Sequence, residues 1–335
     1  MPYHLPPEWS PQDAVLIVWP SHADIWEGEY PLAQVQQAHR SIIETIARFQ
    51  SVIVLTSEPL LWAGENVYLV NCATNDIWVR DFGPVVLTNG DFVKPNLVCD
   101  FGYNGWGLKY PADQDNQATS RLFGHGLFLD RCTIQMPGLI LEGGSIEVNA
   151  NGTLLTTSEC LLSPNRNPHL DQEDLDLQLK ELLGLERIIW LENGWLDGDD
   201  TDAHVDMLAR FAPDGSVLHT TCHDAADPHH GPLMQLETEL RDYGFSRLRA
   251  LPISPAIHSH ADQRRLPASY ANFLVINGAV LVPQYRSPDA DQRALQVIRQ
   301  AFPQHEIIGL DCLPLIHQHG SLHCATMQLP AGTVN

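Results

Sequence analysis

The chain has 335 residues, 44% hydrophobic and only 18% charged, with 23 Gly and 24 Pro, so it reads as turn-rich and globular rather than disordered. Its formal net charge of −22 argues against a nucleic-acid partner, whose phosphates need a basic surface, and suits a cationic ligand as well as plain solubility. Seven scattered cysteines without a CxxC pair argue against a disulfide framework, and neither a signal-peptide pattern nor a long apolar run is present. A soluble, cytoplasmic protein without a membrane partner is therefore expected.

In chain order, AVLIVWP (14–20) predicts a strand, 31–49 a helix, and VIVLT (52–56) a second strand. NDIWVRDFGP (75–84) follows, with Asp81 between Arg80 and a Gly-Pro turn. PVVLTNGDFVKP (84–95) then predicts a β-hairpin, because Asn-Gly favours the positive-φ turns that match strand twist. A helix near 115–124 and a strand at LFLDRC (127–132) complete that unit. The order recurs three times. The hairpins are SIEVNANGTLLTTS, MLARFAPDGSVLHTT and NFLVINGAVLVPQ, the helices lie near 171–183, 231–243 and 289–301, and the closing strands are RIIWLE, SRLRALP and HEIIGLD.

The spacing is regular: Asn89 to Asn151 is 62 residues, Asn151 to Asp214 is 63, and Asp214 to Asn277 is 63. Five units of hairpin, helix and strand account for nearly all of residues 1–335, which predicts one catalytic domain of repeats. The fifth unit is split, with SLHCATMQLP at the end joining the strands at the start. Such pairing closes a ring and removes exposed sheet edges.

Unusual polar residues precede the hairpin turns: Asp81, Glu142, His204 with Asp206, and Asn272. Their recurrence in segments expected to be buried strands predicts a pocket for a cation, since buried charge is costly unless paired or functional. His204 and Asp206, two apart, would share a strand face. Trp78 offers a flat wall for a planar cation held by the Asp81 carboxylate. The plainer alternatives are an Arg80–Asp81 structural contact, a water-facing Glu142 and a solvated acidic loop at Asp197 and Asp199. Metal binding competes at the acidic segment, but no second ligand pair has a recognisable spacing. Cys324, after His323 and near Gly320, is set apart from the other cysteines by its neighbours alone.

Together these segments, with LPPEWSPQDAVLIVWP, DFGYNGWGLKY, SPNRNP and LPASYANFLVINGAVLVPQY, resemble the agmatine deiminases and the related bacterial peptidylarginine deiminases over nearly the whole chain. The resemblance implies an α/β fold, the five-bladed α/β propeller (pentein fold) with pseudo-five-fold symmetry. It implies Cys324 as nucleophile, His204 as general acid/base, Asp81 and Asp206 as the acids that grip a guanidinium, and Glu142 beside the histidine. Trp78, Asp200 and Asn272 match substrate-pocket positions. The implied reaction converts agmatine to N-carbamoylputrescine and ammonia through an amidino-cysteine, with no cofactor and no metal. A homodimer is compatible with it. Another guanidine, including peptidyl-arginine, an amidinotransferase and a catalytically silent binding protein stay open as alternatives. Two departures stand out. His317, Gln318 and His319 precede Gly320 where the family has a glycine run, and Ala203 replaces the glycine before the motif histidine. If those positions need positive φ, a different loop shape is expected.

Overall fold

The computed structural model describes residues 3–21, 26, 29–90 and 95–334. Sixteen strands among these residues form five separate open sheets, and the chain is a mixed α/β fold. Four sheets have three strands each: β4 (Val85–Leu87), β5 (Leu97–Cys99) and β6 (Thr133–Gln135); β7 (Glu147–Val148), β8 (Thr153–Thr157) and β9 (Arg187–Leu191); β10 (Ala209–Phe211), β11 (Val217–Thr221) and β12 (Leu248–Pro252); β13 (Leu274–Ile276), β14 (Ala279–Gln284) and β15 (Glu306–Asp311). In every one the first two strands are antiparallel and the third is parallel to the second.

The parallel step needs a crossover, because a strand cannot re-enter its sheet in the same direction through a tight turn. Helices Ala118–Gly124, Gln172–Leu183, His230–Asp242 and Pro288–Ala301 supply it. Their boundaries are written locally. Asp171 and Asp174 form a reciprocal capping box at the start of one, and Pro288 opens another, where its missing N–H costs no intrahelical bond. Leu175, Leu179 and Leu183, spaced four apart, form the buried stripe of the Gln172–Leu183 helix.

The fifth sheet joins the ends of the chain. β1 (Gln12–Val18) lies between β16 (Thr326–Pro330), to which it is antiparallel, and β2 (Ser51–Leu55), to which it is parallel, with helix Leu32–Ile46 as the crossover. This is the split unit anticipated from the repeat. A fourth strand, β3 (Val67–Val70), extends the sheet and was not anticipated.

Three details differ from the sequence reading. Only β13 and β14 are joined by a two-residue turn, with Ile276 opposite Ala279. After Asn89-Gly90, part of the anticipated hairpin (91–94) lies outside the described residues, and β4 pairs with Leu97–Cys99 instead of DFVKP. LFLDRC is not the closing strand either. Phe128 bridges Val334 and the Leu129 N–H donates to the Thr333 carbonyl, so that segment secures the C-terminal end and Thr133–Gln135 completes the sheet.

Leu16 is fully buried in β1, opposite Met327 on one side and Ile53 on the other. Leu16→Ala should therefore cost about 2–5 kcal/mol in denaturant unfolding, whereas truncation of the exposed Leu177 should change stability by no more than about 0.5 kcal/mol.

Candidate active site

The polar groups anticipated from the repeat do not lie in strands. They sit in short turns just ahead of the first strand of each sheet. Asp81 is in the single helical turn Val79–Phe82 before β4, and Glu142 caps the turn Gly143–Ser145 before β7. His204 caps the turn Val205–Met207, which contains Asp206, before β10. Asn272 precedes β13, and Cys324 lies in the turn before β16. The expected strand-face pairing of His204 and Asp206 is thus replaced by a tight turn, which still directs both inward.

A cavity of about 490 Å³ opens over this cluster and is lined by Trp78, Asp81, Asp206 and Cys324 in its interior and by Asp199, Asp200 and His319 among others. The Cys324 sulfur is 3.8 Å from Asp206 Oδ2, and the Asn272 amide donates to it at 3.2 Å. His204 Nδ1 lies 3.6 Å from Asp81 Oδ1. Gly144 marks where the groups meet. Its N–H donates to Asp81 Oδ1 at 3.0 Å, and a Cβ there would stand 2.6 Å from His204 Nδ1, 2.8 Å from Asp81 Oδ1 and 3.2 Å from Asp206 Oδ2. Only a residue without a side chain lets three chemical groups come this close.

Both ring nitrogens of His204 and Asp206 Oδ1 are buried without a hydrogen-bond partner among the described residues. Native interiors rarely leave such groups unpaired; Asp206 lines the cavity, where a polar ligand would meet it, whereas His204 and Glu142 are not among the lining residues. Asn272 differs from expectation. It is fully buried and is not among the cavity-lining residues; its Oδ1 accepts from the His323 N–H at 2.9 Å while its amide faces the sulfur. Arg80 turns away from Asp81 to the His323 carbonyl and Gln328, which removes the simple Arg80–Asp81 contact. Asp199, expected in a solvated loop, lines the cavity.

Several contributors were not singled out in the sequence. Trp106 Nε1 donates to Asp81 Oδ2 at 2.9 Å. It is placed there by a left-handed turn, with φ/ψ of 54/48° at Trp106 and 81/42° at Gly107. The glycines of NGWGL permit that turn, but Trp106 itself is strained in it. Arg166, in SPNRNP, sends Nε to both oxygens of Glu142 at 2.9 Å and Nη1 to Asp202 Oδ2 at 2.6 Å, tying the Glu142 turn to the loop before His204. Glu142, Cys160 and His204 bring donor atoms within 4.8 Å of one another. Because the Arg166 guanidinium already occupies both Glu142 oxygens, that trio is poorly suited to a metal ion.

Burial pushes the Asp81 carboxyl up, partly offset by His204 and the Trp106 hydrogen bond. Burial also pushes the Asp206 carboxyl up, but the His323 hydrogen bond and the charges of His323, His204 and Arg210 outweigh it and leave it below the ordinary carboxylate range. The Cys324 thiol is driven well above its ordinary value by burial first and then by the Asp206 and Asp81 charges. In the cavity as described the sulfur is held as a neutral thiol, and a cation placed between it and the acids would reverse the electrostatic part of that effect.

The two departures from the family pattern fall on strained backbone. Ala203 has φ 61° and His319 φ 67°, both in the region glycine favours. The positions keep positive φ with side chains present, rather than relaxing to the different loop shape that was expected. His319 Nδ1 donates to the Gly198 carbonyl at 2.8 Å, which pins its loop to the acidic segment.

The mixed α/β fold is shared with a dimethylarginine dimethylaminohydrolase at 14% identity and TM-score 0.53. The pattern of the Porphyromonas-type peptidyl-arginine deiminases matches residues 4–330, and the chain belongs to that family. It is 35% identical to an agmatine deiminase of Pseudomonas syringae pv. tomato, over 98% of this chain and 96% of the relative. Among solved structures it is similar to a Porphyromonas gingivalis protein provisionally called an arginine deiminase (40% identity, TM-score 0.92, full coverage of both chains). It is also similar to a cysteine-to-serine variant of C. jejuni agmatine deiminase with substrate bound (36% identity, TM-score 0.90, 98% of this chain and 96% of that one).

Gly144→Ala should leave the circular dichroism spectrum native and lower kcat by about a hundredfold, because displacing His204 or Asp81 by a fraction of an ångström spoils the reacting geometry. Ala203→Gly should act oppositely on stability, raising it by about 0.5–1 kcal/mol in chemical denaturation as the strained φ is relieved.

Proposed function

We propose that this chain is an agmatine deiminase, hydrolysing agmatine to N-carbamoylputrescine and ammonia. The observation that carries the substrate choice is the cavity wall. It contains Asp76, Asp81, Asp199, Asp200 and Asp206, and no lining residue among the described ones is Arg or Lys. Agmatine is a dication, with a guanidinium at one end and an ammonium at the other. Free arginine would bring a carboxylate into the same acid-lined space, where no Arg or Lys lies among the lining residues. Asp200, already bonded to the Tyr110 hydroxyl and 3.3 Å from Lys109, is the mouth acid proposed to receive the ammonium. The names of the relatives support the same reading.

The chemistry follows from the positions. Asp81 and Asp206 take the N–H groups of the guanidinium, against the Trp78 ring, and present its central carbon to Cys324. The bound cation favours the thiolate, whose sulfur forms a bond to that carbon. His204 gives a proton to the departing nitrogen, the C–N bond breaks and ammonia leaves. The amidino-thioether that remains is attacked by water, deprotonated by His204. The C–S bond then breaks, releasing the ureido product and regenerating Cys324. Glu142, held by Arg166, backs His204. None of these steps draws on a metal or cofactor. The five sheets, with their matching strand order, are read as blades of a pseudo-five-fold propeller in a single domain, which explains why one turn from each meets the others. All seven cysteines are free and buried, in keeping with a cytoplasmic protein.

Agmatine, arginine and an arginyl peptide should be compared by ammonia release and ureido product, without an added amine acceptor. Agmatine turnover is expected, with a loss of at least about a thousandfold in Cys324→Ser. A cationic haloacetamidine should label Cys324 faster than neutral iodoacetamide does, since the thiol alone is held protonated. Absence of ureido product from agmatine, or labelling at another cysteine, would overturn the assignment.

A further inference from the structure

The reaction above leaves unexplained a group of charges buried beneath it. His323, the residue before the nucleophile, is 1% exposed, and each of its ring nitrogens meets a carboxylate. Nδ1 is 2.8 Å from Asp206 Oδ2 and Nε2 is 2.7 Å from Glu8 Oε2. A neutral imidazole carries one N–H, so two such contacts are both favourable only if the ring is an imidazolium or one carboxyl holds the proton.

The surrounding charges decide between these. Glu8 accepts from Arg210 at 2.9 Å and lies 3.8 Å from Arg80. Glu147 accepts from Arg210 at 2.8 Å through one oxygen and from the Phe211 N–H at 2.8 Å through the other. Apart from His204 and Asp81, which face each other at 3.6 Å on the cavity side, Asp206, Glu8 and Glu147 face Arg80 and Arg210, three acids against two guanidinium groups. A net charge in such an interior is costly, and one further cation brings the cluster to neutrality. Both Glu8 oxygens are engaged by donors, Oε1 by the Val275 N–H at 2.7 Å and Oε2 by Arg210 at 2.9 Å, which disfavours a proton on that carboxyl. Burial pushes the Glu147 carboxyl up, but both of its oxygens are likewise engaged, by Arg210 and by the Phe211 N–H.

The main chain of His323 is fixed as firmly as its ring. Its N–H donates to Asn272 Oδ1 and its carbonyl accepts from Arg80 Nε at 3.3 Å. Of the two Asp206 oxygens, Oδ2 is turned to His323 and Oδ1 has no hydrogen-bond partner.

We propose that His323 is a positioning residue: as a buried imidazolium clamped by Glu8, it holds Asp206 ionised and oriented so that Oδ1 is left for the guanidinium of the substrate. The functional part of this rests on the deiminase reading; the charge state does not. Glu8, from the N-terminal segment, becomes part of the active-site support although it touches neither Cys324 nor the cavity.

The test combines spectroscopy and kinetics on the full chain. With ring-15N histidine, one imidazole should keep both N–H protons through neutral pH and above, and that signal should vanish in His323→Gln. A neutral tautomer at neutral pH overturns the proposal, whatever the enzyme's activity. With agmatine, His323→Gln should raise KM about tenfold or more with a smaller effect on kcat. The acidic limb of kcat/KM should move up by about 1–3 pH units, because burial then acts on Asp206 without its cation. Glu8→Gln should move both quantities in the same direction by less, and it stands in if His323→Gln does not fold. Folded variants with the parent's KM and pH profile would sink the positioning role. Failure of the parent to hydrolyse any guanidine would instead refute the proposed function and leave the NMR result to decide the charge state.

Discussion

The structure depends on balancing charge among buried side chains beneath the cavity. Glu8, Glu147, Asp206, Arg80, Arg210 and His323 come from five different segments of the chain and are all buried. Each would cost several kcal/mol alone, and their mutual contacts offset that cost only when all are in place. The first strands of the five sheets and the N-terminal segment must therefore assemble together. Hydrophobic surface drives the collapse, but the ion network accepts one arrangement of the turns. That arrangement puts an imidazole and two carboxylates around Gly144, with the Cys324 thiol beside Asp206.

A consequence is that the proposed nucleophile is kept inactive by its own surroundings. Burial and two nearby carboxylates hold Cys324 as a thiol, which limits alkylation and oxidation of an otherwise reactive group. In the proposed reaction the same two carboxylates bind the cation that relieves the effect. Substrate binding and thiol activation are one electrostatic event, and a neutral ligand of similar shape would not trigger it. Selectivity for positive charge is thus built into the chemistry as well as into the cavity wall.

Strain gathers at the same place. Trp106, Asp202, Ala203 and His319 all have positive φ. Trp106 and His319 line the cavity, and Asp202 and Ala203 immediately precede His204. Non-glycine residues hold such conformations only where the surroundings impose them. Here Arg166 grips Asp202, Asp81 takes the Trp106 N–H, and Gly198 accepts from His319. Tight loops with side chains at positions that favour glycine give up local comfort for a fixed cavity shape.

The repeat was legible because its determinants are local. Turn dipeptides at even spacing, capping residues and apolar periodicity identified hairpins, helices and the split fifth unit, including the pairing of β1 with β16. Local signals failed where a segment took its partner elsewhere: the apolar run at Phe128 looked like a sheet strand but meets Val334. Cys324, His204, Asp81 and Asp206 stood out from the repeat together with a family resemblance. Glu8, His323, Arg166 and Arg210 did not, because a charged residue in sequence looks the same whether solvated or buried. By itself the sequence determined most of the order of elements and singled out the groups proposed to react. Only the tertiary structure decided which charges face each other, since pairing energies depend on distances between residues hundreds of positions apart, and these exist only once the chain is folded.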